Sequence, residues 1–364
     1  MGMADTRFET RRRKLASELA GKRVDDMLVT HITHVRYLSG FTGSNAALLV
    51  SKDRSAAIAT DGRYTTQIAS EVPDIEATIT RQLAKELLAP VVPGHRVGFE
   101  ADYVSVAQLE RMKAACPEGV ELVPVTGVIE QIRLTKDNLE LTRLAEAAEL
   151  ATQALTEMVE AGGVREGRSE RDIAADLEFR MRMLGAERPS FDTIVASGLN
   201  SAMPHHSAGD RVLAKGDLVT IDFGMHRLGF NSDMTRTFAI GEPSATLREI
   251  YEVTLAAQLA GVKASTPGTA LVDVDAACRE VITDAGYGDY FVHSTGHGVG
   301  LDVHEAPSAA KTGEGVLRED MTLTIEPGIY LPGEGGVRIE DTLFITSGAP
   351  RIITSYPCLL YTSP

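Results

Sequence analysis

The sequence predicts an α/β domain followed by an α+β domain with pseudo-twofold symmetry. Its 364 residues fit two domains at roughly 100–200 residues each. The first 130 residues alternate short apolar segments with helical patterns, and the rest repeats one hairpin-like pattern at a nearly constant spacing. We expect one domain over residues 1–131 and a second over residues 132–356. Residues 357–364 form an atypical tail, for which an artefact of sequence assembly is one interpretation.

The elements of the first domain follow from its apolar patterning. Apolar runs at residues 46–50 and 56–59 have the length of buried strands, and turn-forming residues separate them. Helical patterns cover residues 6–19 and 106–115. In the first of these helices we expect the basic run at residues 11–14, Arg-Arg-Arg-Lys, to lie on the solvated face.

The second domain begins with a stretch rich in helix formers, residues 137–161, and then contains an internal repeat. Residues 212–224 align with residues 316–328 at an offset of 104, and residues 233–235 align with residues 340–342 at an offset of 107. Each copy is an apolar strand that ends in a carboxylate and a glycine, then a turn region and a return strand with a second carboxylate. We expect four carboxylates to face one another, namely Asp222, Asp233, Glu326 and Glu340.

The net charge of −15 narrows the classes of function. An acidic surface repels phosphate groups, so the charge disfavours binding to nucleic acid or to a membrane surface. Residues 1–130 hold 16 basic and 17 acidic residues, whereas residues 131–364 hold 20 and 34, so nearly all the excess acid lies in the second domain. Three scattered cysteines are too few for a disulfide framework, and no apolar run approaches the ~18 residues of a membrane span, so we expect a cytoplasmic protein.

Several carboxylates buried together must either take up protons or bind cations. Two divalent ions would supply four positive charges against the four carboxylates. Basic partners are the alternative, but Arg236 and Arg338 are only two. The sequence therefore favours a centre with two metal ions.

Histidines supply a nitrogen ligand. Five of the nine lie in two short segments: His205 and His206 in the first, and His293, His297 and His304 in the second. Glycines on both sides of His297 would let other backbone segments pack closely around it. Carboxylate-rich coordination with one imidazole favours Mn²⁺ first, with Co²⁺, Fe²⁺ or Zn²⁺ as alternatives, and a pair of such ions can activate water and polarise a carbonyl.

Other chemistries find no support. The segment 296–300, Gly-His-Gly-Val-Gly, lacks the spacing of a phosphate loop, and no G-x-S-x-G motif indicates a serine hydrolase. The cysteines in helical patterns, Cys116 and Cys278, are interpreted as packed thiols. The isolated histidines are interpreted as surface or core residues: His31, His34, His95 and His226.

The motifs resemble those of the pita-bread metallopeptidases, and within them the Xaa-Pro peptidases, aminopeptidase P and prolidase. Five parts of the chain carry the resemblance: residues 204–205, 221–224 with 232–237, 293–304, 325–330 and 336–341. The resemblance implies a pita-bread catalytic domain (creatinase/aminopeptidase-like) and a two-metal centre. Its implied ligands are Asp222, Asp233, His297, Glu326 and Glu340, with Asp233 and Glu340 contacting both ions.

The resemblance also implies roles for other residues. Glu326 would help to move the proton of the attacking water, and His205 would stabilise the tetrahedral intermediate or the leaving group. Of the two adjacent histidines, we assign this role to His205 because it directly follows Pro204. His304 would line the substrate pocket together with His293 and would also take part in catalysis. Arg338 would orient groups around the site.

The first domain resembles the small domain of Xaa-Pro peptidases through residues 37–44 and 61–64. In that family the small domain helps to close the site of a neighbouring subunit, so the resemblance implies a homodimer or homotetramer. We predict cleavage of proline-containing peptides before the proline, as by aminopeptidase P. A strict Xaa-Pro dipeptidase is the alternative, followed by a metal-free, creatinase-like hydrolase of carbon–nitrogen bonds and a non-catalytic peptide-binding module.

Overall fold

The computed structural model describes residues 6–358 and residue 360. The chain divides into two compact units, Met1–Arg133 and Leu134–Pro364. Of the tail at residues 357–364, residue 359 and residues 361–364 lie outside the described residues.

The first unit is built on a six-stranded mixed sheet with the strand order β4-β3-β2-β1-β5-β6. The strands are β1 (Asp26–Val29), β2 (Ala46–Ser51), β3 (Ala56–Thr60), β4 (Ala77–Ile79), β5 (Arg96–Glu100) and β6 (Glu121–Val125). The helices are α1 (Thr6–Leu19), α2 (Ile32–Ser39), α3 (Thr65–Glu71), α4 (Leu83–Leu88), α5 (Val106–Ala115) and α6 (Val128–Arg133). The two helices and two strands predicted for this part of the chain are confirmed, each strand being one residue longer than expected.

The prediction for the basic run of α1 is wrong at two of its four positions. Arg11 and Arg12 are buried, at 7% and 5% exposure, whereas the next two residues are exposed. The Arg11 guanidinium lies 4.1 Å from the centre of the Tyr37 ring, and Arg12 donates to the Leu38 carbonyl at 2.9 Å and pairs with Asp74. A buried guanidinium is tolerated where a ring, carbonyls and a carboxylate compensate its lost hydration, and helix α2 supplies most of these groups.

The second unit contains four long helices and thirteen short strands among its described residues. The helices are α7 (Asn138–Glu160), α8 (Glu170–Met183), α9 (Ala245–Ala264) and α10 (Leu271–Asp284). The strands are β7 (Arg188–Pro189), β8 (Ile194–Ser197), β9 (Leu218–Phe223), β10 (Met225–Arg227), β11 (Phe230–Asn231), β12 (Met234–Ala239), β13 (Gly296–Gly298), β14 (Glu305–Ala309), β15 (Thr322–Ile325), β16 (Gly328–Leu331), β17 (Gly335–Arg338), β18 (Asp341–Phe344) and β19 (Arg351–Ile352). The predicted helix over residues 137–161 is α7, and Asp137 caps it by accepting from two backbone N–H groups at 3.0 Å.

The sequence repeat forms two antiparallel hairpins. In the first copy β9 pairs with β12, so that Asp222 lies opposite Thr235. In the second copy β15 pairs with β18, and Thr324 lies opposite Thr342. The second ladder is shifted by two residues relative to the sequence alignment, and a shift of two leaves every side chain on the same face of its strand.

Each hairpin packs against a pair of helices. Helices α7 and α8 form one apolar core with β9 and β12, and helices α9 and α10 form another with β15 and β18. Helices α9 and α10 approach closely at Gly261, where a Cβ atom would lie 2.3 Å from the Cys278 sulfur. Cys278 is therefore a packed thiol, as predicted, and burial raises its pKa to about 12. Among the described residues, no helix combines the length and apolarity needed to cross a membrane.

Candidate metal centre

One cavity of the second unit collects every site residue predicted from the sequence. Its volume is about 750 Å³. The carboxylates reach it from the ends of strands: Asp222 from β9, Asp233 before β12, Glu326 after β15 and Glu340 before β18. His297 lies in β13. The other predicted residues also line the cavity: His205, His293, His304 and Arg338.

Three of the predicted ligands form the tightest cluster. Asp233, His297 and Glu340 each offer one ligand atom, and these atoms lie within 4.8 Å of one another. The Nε2 atom of His297 lies 3.7 Å from an Asp233 oxygen and 3.3 Å from Glu326 Oε1. Its Nδ1 atom lies 3.0 Å from the Gly298 carbonyl oxygen, and a proton on Nδ1 makes this contact a hydrogen bond. That bond fixes the ring with Nε2 toward the carboxylates, as a ligating imidazole requires.

In three of the carboxylates, one oxygen accepts a hydrogen bond from a neighbouring side chain. Arg338 donates to Asp222 Oδ2 at 2.7 Å, Thr235 donates to Glu340 Oε2 at 2.8 Å, and Thr324 donates to Glu326 Oε1 at 3.2 Å. The second oxygens of two of them, Asp222 Oδ1 and Glu340 Oε1, are buried without a hydrogen-bond partner in the described part of the chain. Buried carboxylate oxygens without a partner are costly, and bound cations would compensate them. The donor set therefore fits divalent ions.

The pKa values of the ion-free cluster show its charge imbalance. Burial, and then the charges of the neighbouring carboxylates, raise the pKa of Asp233 well above its usual range. Burial and the charge of Glu326 do the same for Glu340. Glu326 behaves differently: burial acts to raise its pKa, but the hydrogen bond and charge of His297 outweigh this and lower it to about 2. Without added positive charge, the cluster retains protons on some of its carboxylates.

This imbalance predicts how the stability of the ion-free protein depends on pH. Carboxylates with a raised pKa bind more protons in the folded than in the unfolded state. Their stabilisation of the folded state therefore weakens as the pH rises above about 4, the pKa of carboxyl groups in the unfolded chain. We expect the stabilisation by Mn²⁺, measured as the Tm of loaded minus chelator-treated protein, to grow by about 3 °C or more between about pH 5 and about pH 8. An equal Tm difference at both pH values would contradict this, and Asp233→Asn should reduce the pH dependence.

Close backbone contacts position the ligands. A Cβ atom at Gly296 would lie 1.8 Å from the Thr324 carbonyl, and one at Gly298 would lie 2.3 Å from the Ala306 carbonyl. Gly224, two residues after Asp222, would likewise place a Cβ atom 1.8 Å from the Ser232 carbonyl. The close packing predicted around His297 is thus confirmed, and it explains why these positions require glycine.

Arg338 connects the metal cluster to the rest of the cavity. Besides Asp222, it contacts the Tyr330 hydroxyl at 2.9 Å and the Pro204 carbonyl at 3.3 Å. The Tyr330 hydroxyl also lies 2.8 Å from Nε2 of His293. Burial lowers the pKa of His293, which favours a neutral ring that accepts this hydrogen bond. Tyr330 was not among the predicted site residues, although it lies in a motif that the sequence analysis singled out.

The two adjacent histidines have different environments. His206 contacts the buried carboxylate of Glu170 through Nε2 at 2.7 Å. Both residues line the cavity, but only His205 is exposed. His304 also lines the cavity, and its ring centre lies 4.4 Å from that of His297.

Two threonines that connect the hairpins were missed by the sequence analysis. Thr235 donates to the Glu340 carboxylate, and Thr342 donates to the Asp233 carbonyl at 2.8 Å. The repeat contained the signal, since these threonines occupy equivalent positions in residues 233–235 and 340–342. Their hydrogen bonds join the two copies reciprocally.

Comparison with known proteins identifies the family. Residues 142–347 match the model of metallopeptidase family M24, and residues 11–135 match that of the creatinase/prolidase N-terminal domain. The chain belongs to metallopeptidase family M24. As an M24 metallopeptidase it is a hydrolase, and its predicted fold class, an α/β domain followed by a pita-bread catalytic domain, is confirmed.

Relatives of this M24 metallopeptidase resemble it over nearly their whole length. An uncharacterised peptidase of Bacillus subtilis is 43% identical over 92% of this chain and 94% of its own. The solved Xaa-Pro dipeptidase from Bacillus anthracis is 40% identical, with a TM-score of 0.93 over 97% of this chain and 99% of its own. The X-Pro aminopeptidase from Thermotoga maritima is 34% identical, with a TM-score of 0.87 over 96% and 99%.

Proposed function

We propose that this M24 metallopeptidase hydrolyses the peptide bond that precedes proline and releases the N-terminal residue, as aminopeptidase P does. The observation that carries the proposal is the convergence of four carboxylates, His297 and His205 on one cavity. Full-length relatives named Xaa-Pro dipeptidase and X-Pro aminopeptidase support this choice of bond.

The proposed ligands are those implied by the sequence, namely Asp222, Asp233, His297, Glu326 and Glu340. Their support is the free buried oxygens of Asp222 and Glu340 and the orientation of His297 Nε2. Asp233 and Glu340 would contact both ions. Two divalent ions held there would lower the pKa of water and polarise the substrate carbonyl.

The protein groups then share the remaining tasks. Glu326, ionised as a metal ligand must be, would accept the proton of the attacking water. His205, exposed to the cavity, would donate to the developing oxyanion or the departing nitrogen. His293 and His304 would contact the peptide, His304 also assisting the reaction. Arg338 would orient Asp222 and the segment around Pro204 through its hydrogen bonds.

The proposal has three further parts. Mn²⁺ is proposed because carboxylate-rich coordination with one imidazole suits it. A homodimer or homotetramer is proposed from the likeness of the first unit to the creatinase/prolidase N-terminal domain. A cytoplasmic location is proposed because Cys116, Cys278 and Cys358 are all free thiols.

A strict Xaa-Pro dipeptidase is the second candidate, favoured by the name of the 40%-identical Bacillus anthracis protein. A dipeptidase requires a cation to hold the carboxylate of the terminal proline. Lys311 and Arg318, the basic residues of segment 305–320, are exposed and are absent from the lining of the cavity described above. Of the two arginines that do line the cavity, Arg338 is bonded to Asp222 and Arg171 to Asp210, so this arrangement favours the aminopeptidase.

Substrates of different length separate the two candidates. We expect Xaa-Pro-Yaa tripeptides to be cleaved with a kcat/KM at least equal to that of the matching Xaa-Pro dipeptides. The reason is that no basic residue of segment 305–320 lines the cavity to bind the proline carboxylate. Release of the N-terminal residue is measured by chromatography, with Xaa-Ala-Yaa as the control peptide. Turnover of dipeptides alone would replace the aminopeptidase by the dipeptidase, and turnover of neither would contradict the proposed function.

A further inference from the structure

A buried carboxylate behind the candidate site is surrounded by donors from one segment. Glu170, the first residue of α8, has no exposed surface. Its Oε1 atom accepts from the Ser197 amide and hydroxyl at 2.8 and 2.7 Å and from the Asn200 side chain at 3.0 Å. Its Oε2 atom accepts from His206 Nε2 at 2.7 Å and from the Gly209 amide at 3.2 Å. All five donors belong to residues 197–209, which we call the histidine segment.

Residues 204–208 of the histidine segment, which include both His205 and His206, line the cavity. Its bonds to Glu170 lie on both sides of His205, at Asn200 before it and at His206 and Gly209 after it. The bond from His206 is the nearest of these in sequence to the exposed His205. A change at Glu170 would therefore be transmitted to His205 through a single peptide unit.

The charge of Glu170 is what this arrangement requires. Burial acts to raise its pKa, but the bonds from Asn200, Ser197 and His206 outweigh this and lower it, so the group is a carboxylate. Each oxygen accepts at least two donors, and a carboxylate is the side-chain group that accepts at both ends. A glutamine of the same shape would direct an N–H group at donors on one side, whichever way the amide is turned.

We propose that Glu170 is a positioning residue for peptide hydrolysis, which fixes the histidine segment through His206 so that His205 stays directed into the cavity. This proposal rests on the proposed function, because the role of His205 is part of that function. It also assigns different tasks to the adjacent histidines: His206 anchors the segment, and His205 acts on the substrate.

Substitution of Glu170 tests the proposal. We expect Glu170→Gln to lower kcat by about 10²-fold, the loss that a displacement of about 1 Å can cause, with KM and metal content within about twofold of wild type. The matched control is Asp176→Asn on the same helix, which removes ion pairs to Arg168 and Arg180 at 2.9 and 2.8 Å but touches no atom of the histidine segment. This control should keep the wild-type kcat. Equal kcat values for the two variants would overturn the proposal.

A double-mutant cycle separates positioning from general damage. If Glu170 acts through His205, Glu170→Gln should cost little more in a protein that already carries His205→Ala. Losses that multiply would overturn the proposal. If Glu170→Gln fails to fold, two variants of His206 are compared instead. His206→Gln keeps a donor near the Nε2 position and should retain most of the wild-type kcat, whereas His206→Ala should lower kcat by about tenfold or more. Equal kcat values for these two variants would contradict the anchoring role.

Hydrogen exchange keeps this test independent of the proposed function. We expect faster amide exchange across residues 197–209 in Glu170→Gln than in Asp176→Asn, since either the Ser197 or the Gly209 amide loses its acceptor, depending on which way the glutamine amide is turned. If the wild-type protein cleaves no Xaa-Pro bond, the proposed function fails while the exchange data still report the anchor. If exchange is unchanged in a protein that cleaves such bonds, the anchor fails and the proposed function stands.

Discussion

Glu326→Ala is expected to lower kcat by about 10³-fold or more while the protein stays folded. The side chain lies 3.3 Å from Nε2 of His297 and carries the lowest pKa of the carboxylate cluster, about 2. It is therefore ionised in the ion-free protein, and both of its proposed tasks, as metal ligand and as proton acceptor, require the ionised form. The measurement is kcat for an Xaa-Pro-Yaa peptide, with the near-ultraviolet circular dichroism and Tm of the same preparation.

Metal content decides which of the two tasks of Glu326 is lost. A variant that keeps both ions but not turnover has lost the proton acceptor, whereas a variant with fewer ions has lost a ligand. Glu334→Ala is the matched control, because Glu334 is an exposed glutamate in the turn between β16 and β17. Wild-type turnover is expected from this control. A kcat within a few-fold of wild type in Glu326→Ala would show that the proposed mechanism is wrong.

Removal of divalent ions is expected to reduce turnover to the background rate, and return of Mn²⁺ should restore it. The physical reason is the charge of the cavity: four carboxylates face one another, and two of their oxygens are buried without a partner in the residues the structure describes. Elemental mass spectrometry before and after chelation gives the metal content, and the peptide assay gives the rate. A chelator saturated with Mn²⁺ beforehand controls for direct effects of the chelator.

The same experiment tests the two remaining alternatives. A metal-free hydrolase of carbon–nitrogen bonds and a non-catalytic peptide-binding module would both be indifferent to chelation. Asp233→Asn sharpens the test, because it neutralises a member of the tightest cluster and should prevent rescue by Mn²⁺. Full activity in chelated protein that contains no metal would refute the two-metal proposal.

Much of the architecture follows from local patterns in the sequence. Helix α1, strands β2 and β3, and helix α7 follow the apolar periodicity and turn residues of their own segments, and their predicted positions agree with the structure. The burial of Arg11 and Arg12 does not follow from α1 itself, because it depends on helix α2 and on Asp74. Periodicity describes which residues share a helix face, but the partner element determines whether a basic residue there is solvated.

The sequence by itself determined the chemical composition of the candidate centre. Carboxylates at equivalent ends of repeated strands are recognisable because the repeat preserves their spacing, and His297 is recognisable from its glycine-rich segment. Tertiary structure decided which carboxylate oxygens are held by Thr235 and Arg338 and which are free to bind ions. It also decided that, of the two adjacent histidines at the cavity, His206 binds Glu170 while His205 is exposed. These distinctions depend on contacts between residues 36 to 116 positions apart, which only the folded chain brings together.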